Sequence, residues 1–262
     1  MVYNFFCMKL TCFIFILFLF SCSSSKKVIQ DYSYLGEPTN QDYIEHLSSL
    51  GSDYLSSKEN SEIKLKSESL LYLDQIYERI VSNNEQLLRN QFKPRFHFIN
   101  SAIPYIFSLP QSQFFISKAL VEKYLKSEEL FITAIATEIL KSNRNIYEKK
   151  IMIPLGFYSG EKMIQLTRLK QETKYQLNEW TYFILKRSAL DPTAYLNWIQ
   201  IQNRNMLDFS IYLGDSIGIS KEEHYFKNFM TRQGVAGLEK ITNEANSSKS
   251  FYKLLNNITS NK

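Results

Sequence analysis

The hydrophobic pattern from Asn40 onward predicts helices that lead into a short run of strands. Apolar residues recur at helical spacing over Asn40–Leu55 and Glu62–Leu88, which indicates two amphipathic helices. Pro94 ends this region, and Arg95–Asn100 then alternates between apolar and polar positions, as a half-buried strand does. We therefore expect a sheet to begin close to residue 95.

Two further strands are predicted on either side of a turn at Pro110–Ser112. They cover Tyr105–Leu109 and Gln113–Ile116, and the proline is the turn signal between them. From Ser117 onward the apolar spacing is helical almost to the end of the chain. The fold class we expect is α+β, mainly helical, with one small β-sheet.

Two helix starts are marked by capping residues. Ser127 is a preferred N-cap, and Glu128 and Glu129 follow in the first turn, where acidic side chains favour the positive end of a helix. Asp191 precedes Pro192, and proline is favoured at the first helical position. We expect helices to begin at both points.

The helix expected over Ser127–Asn143 is apolar around most of its surface. Its polar side chains are confined to one stripe at intervals of four residues, namely Thr133, Thr137 and Lys141. Glu138 lies beside this stripe. Because a helix that is apolar on nearly all sides is buried, we expect its polar stripe to face a cleft or a polar partner.

The first residues have the pattern of an export signal. The apolar run Phe13–Phe20 follows a single basic residue, Lys9. The run is shorter than the roughly 20 apolar residues that a membrane-spanning helix needs. We interpret residues 1–21 as a cleavable signal peptide, with translation starting at Met1 or Met8.

The end of this run resembles the lipobox of bacterial lipoproteins. It reads Leu19-Phe20-Ser21-Cys22, with a small residue directly before the cysteine. All three cysteines lie at this end of the chain, so cleavage would leave no second thiol to pair with Cys22. We predict that lipid on Cys22 anchors the protein to a membrane. The alternatives are an ordinary signal peptide and an uncleaved anchor.

Composition then limits the partners. The hydrophobic share of 44% can build a core, and the net charge of +5 is modest, without a basic block. Nucleic acid is therefore not an expected partner.

We divide the chain into the signal peptide, a tether over residues 22–39 and one domain over residues 40–258. Ser23 after the cysteine favours the outer membrane over the inner membrane.

Six segments in the middle of the chain form an ordered series. They are Tyr105–Ser112, Gln113–Ile116, Ala119-Leu120, Lys126–Leu130, Ala136–Lys141 and Ala189–Pro192. In order and spacing this series resembles the motifs of membrane-associated zinc metallopeptidases of the HtpX, BepA and CAAX-prenyl-protease type. The likeness covers roughly 94–196 and implies a zincin-like domain of the gluzincin type.

The residues at the family's zinc positions differ from the family pattern. In these enzymes two histidines one helical turn apart bind zinc, and the glutamate between them activates water. Thr137 and Lys141 stand at the two histidine positions, whereas Glu138 keeps the general-base position. Counting back from Asp191, the third ligand position falls at Lys174.

The position of the third ligand could shift along its helix. Glu172 and Glu179 are the alternatives to Lys174 if the alignment slips. An ammonium group opposes a divalent ion about 4 Å away by roughly 8 kcal/mol at an effective dielectric constant of about 20, and threonine is a poor zinc ligand. The three histidines, His46, His97 and His224, are never at ligand spacing. We expect no metal and no cofactor.

Simpler interpretations stand beside the resemblance. Glu138 and Lys141 are three residues apart, so they could form only an ion pair along the helix, which contributes a few tenths of a kcal/mol when exposed. His97 is expected half-buried on its strand. Trp180 and Trp198 have apolar neighbours and are expected in the core.

Three functions follow from these observations, and we favour the first. It is a metal-free metallopeptidase relative that binds an envelope protein or an extended peptide, a non-catalytic or scaffold role. Peptide would pair by strand addition with Gln113, Phe114, Phe115 and Ile116, or with the neighbouring strand. The second is a surface-exposed recognition lipoprotein without a functional cleft. The third is an active metalloprotease with rearranged ligands and Glu138 as its base.

Overall fold

A computed structural model describes residues 40–88, 92–150, 158–213, 216–235 and 247–260. The predicted signal peptide, Cys22 and tether lie outside these ranges. The described elements are α1 (Asn40–Ser56), β1 (Glu62–Ile63), α2 (Ser67–Ser82), β2 (Arg95–Ile99), β3 (Ile106–Leu109), β4 (Gln113–Ser117), α3 (Lys118–Lys123), α4 (Glu128–Asn143), α5 (Gly160–Thr167), α6 (Gln171–Arg187), α7 (Ala194–Arg204), α8 (Met206–Leu213), α9 (Ser216–Arg232) and α10 (Lys249–Ser260).

The expected fold class is confirmed at the level of a mainly helical α+β protein. The four strands form one mixed sheet in the order β1-β2-β4-β3. β2 and β4 are parallel, and the other two pairs are antiparallel. Among the described helices, none is long and apolar enough to cross a membrane.

The sheet separates two hydrophobic cores. Phe114 and Ile116 face the larger core, which α2, α4 and the C-terminal helices complete. Phe107 and Phe115 face the smaller core, together with residues of α1 and α5. In this smaller core Phe107 and Phe115 stack with their centroids 4.8 Å apart, and Tyr54 of α1 meets both rings edge-on at 5.5 Å. Because successive side chains of β4 point to opposite faces of the sheet, this one strand contributes residues to both cores.

β4 has no free edge. It pairs with β2 through Arg95↔Gln113 to Ile99↔Ser117, and with β3 through Ile106↔Ile116 to Leu109↔Gln113. The prediction of Gln113–Ile116 as a peptide-binding strand is therefore wrong, because strand addition needs unpaired backbone groups. The neighbouring strand β3 is at the edge of the sheet, but all four of its residues are buried.

Two predicted helix starts need correction. The helix predicted from Glu62 begins only at Ser67, because Glu62 and Ile63 pair with β2 instead. The helix predicted at Asp191 begins at Ala194. The Asp191 carboxylate instead accepts hydrogen bonds from the Thr193 amide and hydroxyl groups, at 2.9 and 2.7 Å.

The two tryptophans differ in environment. Trp198 is buried and meets Phe209 edge-on at 5.7 Å, as expected. Trp180 is 40% exposed, so its predicted core position is wrong. His97 is half-buried, as expected, and its Nδ1 lies 2.6 Å from the Glu62 carboxylate.

Candidate functional site

Part of the polar stripe of α4 lines a cavity of about 60 Å³. Ser127 caps this helix by accepting a hydrogen bond from the Leu130 amide, as the sequence predicted. Thr137, Glu138 and Lys141 all line the cavity, because residues three or four apart share one face of a helix. The helices α6, α7 and α9 and the loop after α5 close it from the other sides. The prediction that the stripe faces a cleft is thus confirmed for Thr137 and Lys141, whereas Thr133 is buried and does not line this cavity.

Glu138 and Lys141 form a buried ion pair. The Lys141 Nζ lies 2.8 Å from the Glu138 Oε2, and the two side chains are only 6% and 3% exposed, respectively. The Ser108 hydroxyl of β3 donates to the same carboxylate oxygen at 2.7 Å. The interpretation of Glu138 and Lys141 as an ion pair along the helix is confirmed. Because the pair is buried, the contribution of a few tenths of a kcal/mol that applies to an exposed pair does not apply to it.

A second charged pair lies across the cavity. Lys174 of α6 and Glu222 of α9 approach to 4.0 Å. One oxygen of Glu222 also accepts a hydrogen bond from the Asn178 amide at 2.8 Å. The Tyr195 hydroxyl donates to the amide oxygen of Asn178. The carboxylate of Glu222 is thereby held in place by groups from one neighbouring helix, α6.

Burial changes the ionisation of two groups in the cavity. It lowers the pKa of Lys174, and the nearby Arg168 and Lys141 cations lower it further, whereas Glu222 acts against them. Burial also raises the pKa of Tyr195 well above its ordinary value, so this phenol stays neutral at physiological pH. The charge of Lys174 is therefore only partly compensated by Glu222.

The structure brings together the four residues that the resemblance singled out. Thr137, Glu138, Lys141 and Lys174 line the same cavity. Of the two alternatives for the third position, Glu172 is exposed. Glu179 instead accepts a hydrogen bond from the Tyr225 hydroxyl at 2.9 Å. Lys174 alone of the three candidates lines the cavity.

Sequence reasoning missed several residues of the cavity. Asn178 is one helical turn after Lys174, so its position could have been inferred from that spacing. Glu222 and Gln202 belong to later helices, and no local pattern connects them to α4. Their place depends on how α7 and α9 pack against α4 and α6, which hydrophobic periodicity does not specify.

The groups in this cavity do not fit a zinc ion. Zinc in proteins is bound by thiolate, imidazole and carboxylate groups, whereas Thr137, Lys141 and Lys174 offer a hydroxyl and two ammonium groups. The acid groups that remain, Glu138 and Glu222, are each held beside a lysine. Within the described ranges, no three His, Cys, Asp or Glu side chains are grouped so that they could hold a metal.

Neither a protein-family model nor a curated protein matches this chain. Its function is therefore inferred from the residues of the cavity.

Proposed function

We propose that this protein is an envelope lipoprotein whose zincin-like domain has lost its zinc site and works by binding a protein or peptide. One observation carries the proposal: Lys141, at a position where the resemblance expects a zinc ligand, is bonded to the glutamate at the general-base position. An internal ammonium group thus takes the place of the metal cation beside Glu138. The gluzincin-type fold and the lipid anchor are parts of the same proposal.

The surroundings of Glu138 argue against a role as a general base. A base needs an oxygen that can reach a water or substrate proton. The Oε2 atom already accepts from Ser108 at 2.7 Å and lies 2.8 Å from the Lys141 ammonium. The residue is 2% exposed. This oxygen is therefore already engaged by two groups of the protein and is closed off from solvent.

The buried pair also supports a binding role through the shape that it maintains. A buried ion pair contributes little net stability compared with a well-packed apolar pair. Its use would be to keep α4, β3 and the cavity wall in one arrangement, since Ser108 and Lys141 fix the same carboxylate from two elements. A binding protein needs such a fixed surface but no catalyst.

Metal analysis of the purified full-length protein tests the proposal. We expect no stoichiometric zinc after incubation with zinc and removal of the free ion. The triple variant Thr137→His, Lys141→His and Lys174→Glu is expected to gain one zinc per chain. The matched control is the double variant without Lys174→Glu, which should bind zinc more weakly. Stoichiometric zinc in the unmodified protein would overturn the proposal.

The lipid anchor has its own test. Cells expressing the protein are labelled with radioactive palmitate and separated into membrane and soluble fractions. The Cys22→Ser variant is expected to lose the label and leave the membrane fraction, whereas Cys12→Ser, within the predicted signal peptide, should keep both. Label that persists in Cys22→Ser would refute anchoring through this residue.

A further inference from the structure

We propose that the cavity beside α4 binds the carboxylate group of a peptide ligand between Arg168 and Lys174. This inference rests on the proposed binding function and names the chemical group that the site recognises. It is carried by the charge balance of the cavity, by two cavity side chains without partners in the described structure, and by the size of the space.

The cavity has one cation more than its anions balance. Lys141, Arg168 and Lys174 line it, against two acidic residues, Glu138 and Glu222. Glu138 is paired with Lys141 at 2.8 Å, and Glu222 lies 4.0 Å from Lys174. Arg168 therefore remains as the surplus positive charge. A singly charged anion would balance the site.

Arg168 has the donors that such an anion needs. Within the described part of the chain its guanidinium group neither donates a hydrogen bond nor forms an ion pair, although the residue is partly buried and lines the cavity. Its backbone carbonyl is held by the Lys150 ammonium at 2.9 Å. A guanidinium group presents paired N–H donors whose geometry matches the two oxygens of a carboxylate.

Gln202 gives a second and independent indication. Its side chain is 6% exposed and lines the same cavity, yet it makes no hydrogen bond to any residue that the structure describes. Its amide atoms are accessible from the cavity rather than enclosed by protein. An amide group that faces a cavity without a protein partner is placed to bond a polar ligand.

The volume fits a carboxylate with its adjoining carbon atoms. One water needs roughly 10–15 Å³ of such volume, and the cavity has about 60 Å³. It therefore holds about four to six atoms the size of a water oxygen. Leu169, Leu177 and Trp198 form an apolar part of the wall, which suits the carbon chain behind the charged group rather than a fully hydrated ion.

Lys174 supports the same assignment. It is 15% exposed and lies at the limit of ion-pair distance from Glu222. Burial and the two neighbouring cations lower its pKa. A bound anion would add to the negative charge that Glu222 supplies beside Lys174, so Lys174 and the ligand would stabilise each other's charged forms.

Three peptides separate the sources of the carboxylate. Calorimetric titration of the full-length protein uses N-acetyl-trialanine with a free C-terminus, the same peptide as its C-terminal amide, and an amidated peptide with glutamate as its central residue. We expect the free acid to bind at least tenfold more tightly than its amide. Binding of the glutamate peptide would assign the site to side-chain carboxylates as well. Equal binding of acid and amide, or binding of none of the three, would overturn the proposal.

Variants then locate the bound group. Arg168→Gln and Gln202→Leu are each expected to weaken the binding of the free acid, Arg168→Gln by about tenfold or more, because hydrogen bonds to a charged group are the strong ones. Lys170→Gln is the matched control, since Lys170 is exposed, two residues away and not part of the cavity wall. An equal loss in Lys170→Gln would indicate a general charge effect and refute the assignment.

The two proposals fail in different experiments. Failure of the peptide titration in a protein that holds no zinc would remove only the carboxylate site. Stoichiometric zinc in the unmodified protein would remove the proposed function, whatever the titration shows.

Discussion

The Lys141 ammonium and the Glu138 carboxylate lie 2.8 Å apart on one face of α4, and both side chains are more than nine-tenths buried. Two charges in such a place depend on each other, because either one alone would be buried without a counter-charge.

Removing the cation of this pair is expected to destabilise the protein strongly. Lys141→Met should lower the free energy of unfolding by about 3–5 kcal/mol, as loss of one partner of a buried pair does. Glu138→Gln removes the other charge. The double variant Glu138→Gln and Lys141→Met should lose less free energy of unfolding than the two single variants together. Urea unfolding of the two single variants and the double variant measures these losses. The control Lys227→Met removes a lysine that pairs with Glu223 at 2.7 Å but is 46% exposed; it should change the free energy of unfolding by less than about 1 kcal/mol. Equal effects of Lys141→Met and Lys227→Met would contradict the buried pair.

Gly51 is expected to tolerate no side chain. A Cβ there would lie 2.3 Å from the Gln113 Oε1 and 3.3 Å from Phe115. The Gln113 amide donates to the Ser48 carbonyl and the Pro110 carbonyl, each at 3.1 Å, so it cannot move without loss of these bonds. Gly51→Ala should destabilise the protein by about 1–3 kcal/mol, although alanine is the better helix former by about 1 kcal/mol.

Thermal unfolding checks this second prediction. The double variant Gly51→Ala and Gln113→Ala frees the space that the new methyl group needs. Adding Gly51→Ala to the Gln113→Ala variant should therefore destabilise the protein less than adding Gly51→Ala to the unmodified protein does. The same loss in both backgrounds would show that the contact with Gln113 is not the cause.

Ala189 is expected to be better replaced by glycine. Its φ of 53° lies in the left-handed region, at the end of α6, where the Leu190 amide bonds to the Leu185 carbonyl at 3.0 Å. Glycine adopts this conformation without steric strain, so Ala189→Gly should stabilise by up to about 1 kcal/mol. Ala194→Gly, inside the first turn of α7, should instead destabilise by about 1 kcal/mol. Chemical denaturation of the two variants checks the opposite signs, and a loss of stability in Ala189→Gly would contradict the prediction.

The stability of the protein is expected to depend on pH through His46. Burial lowers the pKa of His46 from its ordinary 6.5, and its buried Nε2 has no hydrogen-bond partner among the described residues. Between the unfolded and the folded pKa, the unfolded chain therefore binds the proton more readily. The favourable contribution of neutral His46 to the free energy of unfolding is fully present above pH 6.5 and decreases as the pH falls below that value.

Unfolding by urea at pH 7 and pH 5 tests the role of His46. His46→Gln should reduce the loss of stability between the two pH values. His224→Gln should leave it unchanged, because His224 is exposed on α9. If both variants keep the full pH dependence, His46 does not contribute to it.

Local patterns were sufficient for the elements whose contacts are close in sequence. The alternation in Arg95–Asn100 predicted β2 (Arg95–Ile99) to within one residue, and the Ser127 cap predicted the start of α4. Glu62 and Ile63 could not be assigned locally, because their strand exists only through pairing with Ile99 and Phe98.

The candidate site was predictable in part for the same reason. The spacing along α4 was enough to place Thr137, Glu138 and Lys141 on one face. The spacing within one helix cannot show that Glu222 lies 4.0 Å from Lys174, since the two residues belong to different helices. The peptide-binding strand predicted at Gln113–Ile116 was wrong because β4 is paired on both sides, and the order of strands in a sheet is a tertiary property.

The division into two cores has a mechanical consequence. The described chain begins with α1, which packs in the smaller core around Tyr54, Phe107 and Phe115. Tension applied through the N-terminal segment would reach these stacked rings first. Ile164 of α5 belongs to this smaller core and also lines the cavity, so under the lipid anchoring that we propose a pull on the N-terminal segment would load the smaller core first and reach the cavity wall through α5.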